Sequence, residues 1–171
     1  MTAGISLPSF GSRACGLWPT LLMLAPTIPP TLPSATTVEV PYAPEDAPLD
    51  RVVALYHRAH RYRYVAVYGL SNPGAVEALV VAKTRGGDVR IITDRDRLHD
   101  PKQRAAINTL RSAGSPVRAN QHDGLTHMKQ VVMDDEVNAS GSRNHTTSGN
   151  RYNDERLDVI TDKASTARSS Q

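Results

Sequence analysis

Cysteine is nearly absent from this chain of 171 residues, occurring once, at Cys15. No internal disulfide can form, and no cluster of thiolate metal ligands. Cys15 also precedes the neighbouring apolar run instead of ending it, which argues against a lipid-modified cysteine. Aromatic residues make up only 5% of the chain, with one Trp and one Phe. So thin a supply disfavours a surface that reads nucleic acid by stacking bases. Charge of one sign is scarce too: 20 basic and 17 acidic residues leave a net +3. Any polyanion binding must therefore come from local clusters of arginine and lysine instead of a global basic field. Long apolar runs are missing as well. The stretch Leu17–Ala25 has nine residues, too few to cross a bilayer as a helix. No internal repeat is present.

What remains is ordinary globular composition, 39% hydrophobic and 22% charged, in a length that fits one domain with a real core. Residues 1–35 stand apart, with Arg13 as their only charged side chain. A positive start, a short apolar run and small residues near Ser34-Ala35 resemble a secretory signal peptide. The expectation is a leader over 1–35, a catalytic domain over 36–161 and a disordered polar tail over 162–171. A periplasmic or secreted location follows, with no stable membrane insertion once the leader is removed.

Past the leader, strands and helices alternate. Val38–Val40 reads as a short strand, and Leu49, Val52, Val53, Tyr56 and Ala59 form a helical stripe over 49–61. Tyr64–Leu70 is a β-branched and aromatic strand. Ser71 or Asn72 then caps a helix that stops at Gly86. Val89–Thr93 is the next strand, Asp94–Arg97 a charged loop, and Pro101–Ala113 a helix ending at Gly114. A short strand at Pro116-Val117 follows, then a hairpin of Met128–Met133 and Val137–Ser140, and a closing strand at Arg156–Ile160. This order predicts an α/β fold: a layered sandwich with a mixed, largely parallel central sheet flanked by helices.

The chemistry concentrates between His127 and Glu155. Alternation along a strand places His127 and Lys129 on one face, an imidazole beside an ammonium, which suits an anion. Ser142 and Asn144 repeat that spacing and add neutral donors. Lysine and asparagine can hold the non-bridging oxygens of a phosphate while charge grows on them. Imidazole can act as nucleophile or as proton donor. Glu155 is the natural partner for the second ring nitrogen of His127. Asp134 reads as structural, since a carboxylate inside the pocket would repel an anionic substrate. Arg95, Arg97, Lys102 and Arg104 follow a strand on its C-terminal side, where α/β sheets bind ligands, and are the candidates for nucleic-acid contact. The basic run His57–Arg63 reads either as phosphate contact or as the solvated end of a helix. His122, Asp123 and His127 are better explained as loop residues than as a metal site.

The pattern His127-x-Lys129-x4-Asp134-x6-Gly141-Ser142-x-Asn144 resembles the complete HKD motif of the phospholipase D superfamily. Residues from about Val38 to Ile160 resemble its small single-motif bacterial branch, the Nuc-like endonucleases. The likeness includes the run Arg85–Ile91 and Ala113-Gly114-x-Pro116-Val117. Active sites of that superfamily combine two motifs, so the resemblance implies a homodimer acting on nucleic acid. One His127 would attack phosphorus to give a phosphohistidine, while the other protonates the leaving oxygen and then activates water. Lys129 and Asn144 of both subunits would bind the phosphoryl oxygens, and Ser142 would bond phosphate or position a neighbour. The scheme requires no metal and no cofactor. Two alternatives are a lipid phosphodiesterase or phosphatidyltransferase using the same residues, and a vestigial DNA-binding dimer. The sequence departs from the family pattern at Gln130, at His145 in place of an aromatic residue, and in the short polar stretch after Ile160.

Overall fold

The computed structural model describes residues 35–170, so the leader expected over 1–35 lies almost wholly outside them. Strand β1 (Thr37–Glu39) and the two-residue β2 (Tyr42–Ala43) lead into helix α1 (Pro48–Arg58). Strand β3 (Tyr62–Val67), helix α2 (Pro73–Thr84), strand β4 (Asp88–Thr93), helix α3 (Pro101–Ser112) and strand β5 (Val117–Ala119) follow. The charged stretch expected as a loop contains a single 3-10 turn, Asp96–His99. Strands β6 (Lys129–Met133) and β7 (Val137–Gly141) form a hairpin, and helix α4 (Thr147–Arg151), strand β8 (Glu155–Thr161) and helix α5 (Lys163–Ser169) complete the chain.

The sheet runs β1-β8-β7-β6-β3-β4-β5, with β2 also paired to β8. It is the expected mixed sheet flanked by helices. Strands β3, β4 and β5 pair in parallel, joined by the right length of helical crossover, and β6, β7 and β8 pair antiparallel. Strict alternation in β3 buries Arg63, Val65 and Val67 on one face, and β4 buries Val89, Ile91 and Thr93 there. Leu49, Val52, Leu55 and Tyr56 of α1, Ala75, Ala78, Leu79 and Ala82 of α2, and Ile107 and Leu110 of α3 close that core. The small residues of α2 let it lie close to the sheet.

Helix α1 ends earlier than its apolar stripe suggests, because Ala59 is already extended. Its last carbonyls are taken by the buried Arg63, whose guanidinium donates to the carbonyls of Tyr56 and Ala59. Arg61 meanwhile pairs with Asp135 at 2.5 Å. These two arginines of the basic run thus brace the helix end and the hairpin turn, a role neither reading of that run anticipates.

The segment after Thr161, expected to be disordered, forms α5 instead. Asp162 caps it, accepting the Ser165 N–H at 2.7 Å, and the Thr166 side chain is fully buried. A polar chain ties it to the sheet: Gln130 donates to Asn138 at 3.0 Å, and Asn138 donates to Ser169 at 3.0 Å. Gln130, out of pattern in the sequence, is thereby satisfied. Helix α5 packs on β6 and β7. Further along the same face, Tyr64, Arg90, Ile92 and Arg118 border an open depression of about 540 Å³.

Candidate active site

The two ends of β6 are built differently, and the difference defines the site. At its far end Met133-Asp134-Asp135-Glu136 makes a β-turn with φ of 54° and 58° at its two central aspartates and a Glu136 N–H to Met133 carbonyl bond of 3.0 Å. Two central residues with positive φ suit the twist of a hairpin, and aspartate tolerates that conformation. The Asp134 carboxylate points back at the start of β3 and accepts the N–H groups of His60, Arg61 and Tyr62 at 2.5, 2.8 and 2.9 Å. Desolvation opposes its charge, but these three backbone donors and Arg63 hold it below the usual carboxylate range. Asp134 is thus a clamp, on the opposite end of the strand from His127.

At the near end His127 lies in the loop just before β6, exposed, while Lys129 is buried as the first strand residue. The Lys129 ammonium donates to the His127 carbonyl at 2.9 Å. Among the described residues it forms no ion pair, and neither ring nitrogen of His127 has a hydrogen-bond partner. Burial pushes the Lys129 ammonium below its usual value, and the nearby Glu155 carboxylate opposes that shift. The imidazole ring instead meets the Tyr68 ring, centroids 5.0 Å apart at 61°.

The returning strand delivers the rest. Gly141 is required where it stands: a Cβ there would lie 2.1 Å from the Arg156 carbonyl oxygen, so only glycine lets β7 and β8 approach. Ser142 follows, its hydroxyl donating to the Glu155 carboxylate and accepting the Arg156 N–H at 3.1 Å. The Asn144 side-chain oxygen accepts the Gly69 N–H at 3.0 Å, leaving its Nδ2 donors without a partner among the described residues. Backbone bonds at His145 and Gly69 (2.8 Å), and at Ser71 and His145 (3.0 Å), stitch this segment to the end of β3.

Most of the residues expected at the site therefore converge: His127, Lys129, Ser142, Asn144 and Glu155 surround the C-terminal end of β3. The His127–Glu155 hydrogen bond expected from the sequence is not formed within the chain. Glu155 is instead engaged by Ser142 and by Asn153 at 3.3 Å. Its hydroxyl neighbour directly follows the adjacent strand, where cross-strand pairing of Gly141 with Leu157 brings the two together, whereas His127 is held by Tyr68.

Of the four candidate nucleic-acid contacts, Arg97 lies at the site, with its guanidinium 5.3 Å from the Tyr68 ring centre and paired to Asp100 at 3.1 Å. Arg95 is exposed beside Asp96 at 3.6 Å, and Lys102 and Arg104 are exposed on α3.

Sequence reasoning missed several residues. Tyr68 is one, although an aromatic residue at the end of a parallel strand is a position where such sheets bind ligands. Asp94 is another: it is buried, accepts the Thr126 N–H at 2.8 Å, and so anchors the residue before His127. Beneath the motif, Arg143 is 1% exposed, and its three side-chain nitrogens have no partner among the described residues. Its burial lowers its pKa to about 10. His145 Nε2 and the Tyr56 hydroxyl share a hydrogen bond of 2.9 Å, and the imidazole is pushed down to about 3 by burial and by Arg143, so it is neutral at physiological pH.

An imidazole, an ammonium and an amide gathered at the C-terminal end of a central strand of a mixed α/β sheet suit an anion of phosphate size, which defines the class, a phosphoryl-handling domain. The comparisons with known proteins agree. Residues 52–171 match the family described as "Cardiolipin synthase, PLD-like domain", so the chain belongs to the phospholipase D-like family. It is 34% identical over 135 residues to a mitochondrial cardiolipin hydrolase of Xenopus tropicalis, covering 79% of this chain and 63% of that protein. A phospholipase D of Rickettsia felis is 32% identical over 107 residues, covering 62% of this chain and 52% of that protein. The chain thus spans less than two thirds of these relatives' lengths. The crystal structure of Nuc, a phospholipase D family member from Salmonella typhimurium, superposes with a TM-score of 0.75 at 29% identity, covering 80% of this chain and 90% of Nuc. NucT from Helicobacter pylori shares the fold, with a TM-score of 0.72 at 19% identity and coverage of 80% and 92%.

Proposed function

We propose that this protein is a phosphodiesterase that cleaves nucleic acid as a nonspecific endonuclease through a phosphohistidine intermediate. The observation that carries the proposal is the uncommitted pair at the start of β6: an exposed imidazole and a buried ammonium whose donors no carboxylate occupies. Nucleophilic attack by His127 on phosphorus forms a P–N bond and expels an alkoxide, which takes its proton from a second imidazole. That imidazole then draws a proton from water, the water oxygen attacks phosphorus, and the P–N bond breaks. Lys129 and the Asn144 amide stabilise the charge that builds on the non-bridging oxygens, so the scheme needs no metal.

Each chain supplies one such histidine, and two are needed. The second comes from a second copy, in a homodimer whose two-fold axis passes beside His127. Leu125 and Tyr152, 56% and 77% exposed, lie two residues before His127 and three before Glu155 and suit such an interface. We further propose export through a leader over residues 1–35.

The near-complete coverage of Nuc favours the endonuclease. The cardiolipin hydrolase and phospholipase D relatives favour a second reading, hydrolysis of a lipid phosphodiester by the same residues. Purified protein incubated in EDTA with plasmid DNA and, separately, with cardiolipin vesicles decides between them. Plasmid nicking by wild type and none by His127→Ala is expected. Faster lipid turnover would install the second reading, and inertness towards both would sink the two together.

A further inference from the structure

We propose that Tyr68 is the positioning residue of this site, holding the His127 imidazole and the Lys129 ammonium in register while leaving their donors and lone pairs free for phosphate. What the two groups do rests on the phosphodiesterase reading above; how they are held rests on geometry alone.

Tyr68 directly follows β3, and its backbone is clamped on both sides. Its N–H donates to the Met128 carbonyl at 2.8 Å, tying it to the residue between His127 and Lys129. Its carbonyl accepts the Thr93 hydroxyl at 3.3 Å. Thr93 in turn accepts from Gln103 at 2.9 Å, and Gln103 accepts the Leu70 N–H at 2.6 Å. Both Thr93 and Gln103 are fully buried, so the clamp is anchored in the core.

Three aromatic or cationic groups among the described residues meet the ring so fixed. The His127 ring centre is 5.0 Å away, the Lys129 ammonium 5.5 Å and the Arg97 guanidinium 5.3 Å. The segments bearing His127 and Arg97 are themselves joined by the buried Asp94, which accepts the N–H groups of Thr126, Asp96 and Arg97 at 2.8, 2.9 and 3.3 Å. The Tyr68 hydroxyl has no hydrogen-bond partner among the described residues, so the ring, not the phenol, makes these contacts.

An aromatic ring suits the task for a chemical reason. A carboxylate could fix Lys129 equally well, but it would occupy the ammonium donors and repel the phosphate they must bind. The negative face of a ring attracts a cation without taking any of its N–H groups. The imidazole likewise gains a fixed tilt from the ring while both its nitrogens stay open.

Kinetics with bis(p-nitrophenyl) phosphate in EDTA, together with NMR of the wild type, test this. Tyr68→Phe keeps the ring and should leave turnover within a few-fold of wild type. Tyr68→Leu should lower kcat by roughly 100-fold, the scale on which misplaced catalytic groups fail, with KM changed far less. The charged and titratable groups around Lys129 are Glu155, His127 and Tyr68, with Arg97 against the same ring. Removing the ring from that set destabilises the ammonium, so the alkaline limb of the kcat/KM profile should move to lower pH in Tyr68→Leu and stay in place in Tyr68→Phe. Wild-type kcat and an unmoved alkaline limb in folded Tyr68→Leu would overturn the proposal.

Should that variant not fold, the wild-type spectrum decides. Ring-current displacement of the His127 ring protons and their cross-relaxation with Tyr68 are expected, and their absence would overturn the proposal. Wild type inert towards this phosphodiester would sink the function proposed above, whereas the spectrum would still judge the role of Tyr68.

Discussion

The two ends of β6, a strand of five residues, carry opposite designs. Asp134 spends its carboxylate on three backbone N–H groups, and its hairpin partner Asp135 pairs with Arg61. At the other end, both His127 ring nitrogens are unpartnered among the described residues and Lys129 gives an N–H only to a carbonyl, so no carboxylate competes for either group. A residue whose polar atoms are saturated holds the fold, whereas one held by its carbon skeleton or backbone can still meet a substrate. The comparison separates the motif's aspartate from its histidine and lysine, although all three belong to one sequence pattern.

The sharpest way to break the contrast is to exchange function for structure at each end. His127→Ala should reduce phosphodiester turnover by about 10⁴-fold or more, the usual cost of a lost nucleophile, while its melting temperature stays near that of wild type. Lys129→Met should cost about 10²–10³-fold in kcat, as for other removed charge-stabilising donors.

Asp134→Ala should show the reverse pattern. Losing the acceptor of three backbone donors should destabilise the protein by about 3–5 kcal/mol, read by denaturant unfolding. Activity per folded molecule should be kept. Destabilisation by His127→Ala as large as that by Asp134→Ala would erase the distinction.

Acid titration probes the same end more gently. The folded-state pKa of Asp134 is depressed, so its contribution to stability is complete above the unfolded value near about 4. That contribution is lost as pH falls through the folded value. Wild type should therefore lose stability on acidification below about pH 4, and Asp134→Asn, already less stable, should show a shallower loss over that window.

The smallest effect is expected beneath the site. Arg143 is a buried guanidinium with no hydrogen-bond partner among the described residues, and replacing such a charge by an apolar side chain of similar length is often neutral or stabilising by about 1–4 kcal/mol. Arg143→Met should fall in that range by chemical denaturation. His145→Phe should leave the pH–rate profile unmoved between about pH 5 and 8, since His145 is already neutral there.

Much of this architecture was legible from the sequence because its signals are local. A capping residue followed by proline marked the start of α2, where Asn72 accepts a backbone N–H as its type suggests, and Pro101 marked the start of α3. The motif spacing marked which side chains converge, because the β6–β7 hairpin and its neighbour β8 set that geometry. What was not legible depends on contacts between distant segments. Tyr68 reads as one more strand aromatic until β6 lies beside it. Arg63 reads as a solvent-facing cation until the early end of α1 leaves carbonyls for it to bind. Helix α5 has small polar residues and little apolar pattern, and its hold on the sheet comes through Asn138 and the buried Thr166. The Glu155–His127 bond was inferred from chemical fit alone, and the register of β7 with β8 gives that carboxylate to Ser142 instead.

The central claim is that the uncommitted imidazole at the start of β6 is the nucleophile. Rapid alkaline quenching during turnover of a phosphodiester, followed by mass spectrometry of the peptide containing residues 127–129, tests it directly. The account predicts an acid-labile, alkali-stable phosphoryl group on His127 in wild type and none in His127→Ala. Turnover at full rate with no such adduct, or with the adduct on another residue, would contradict it.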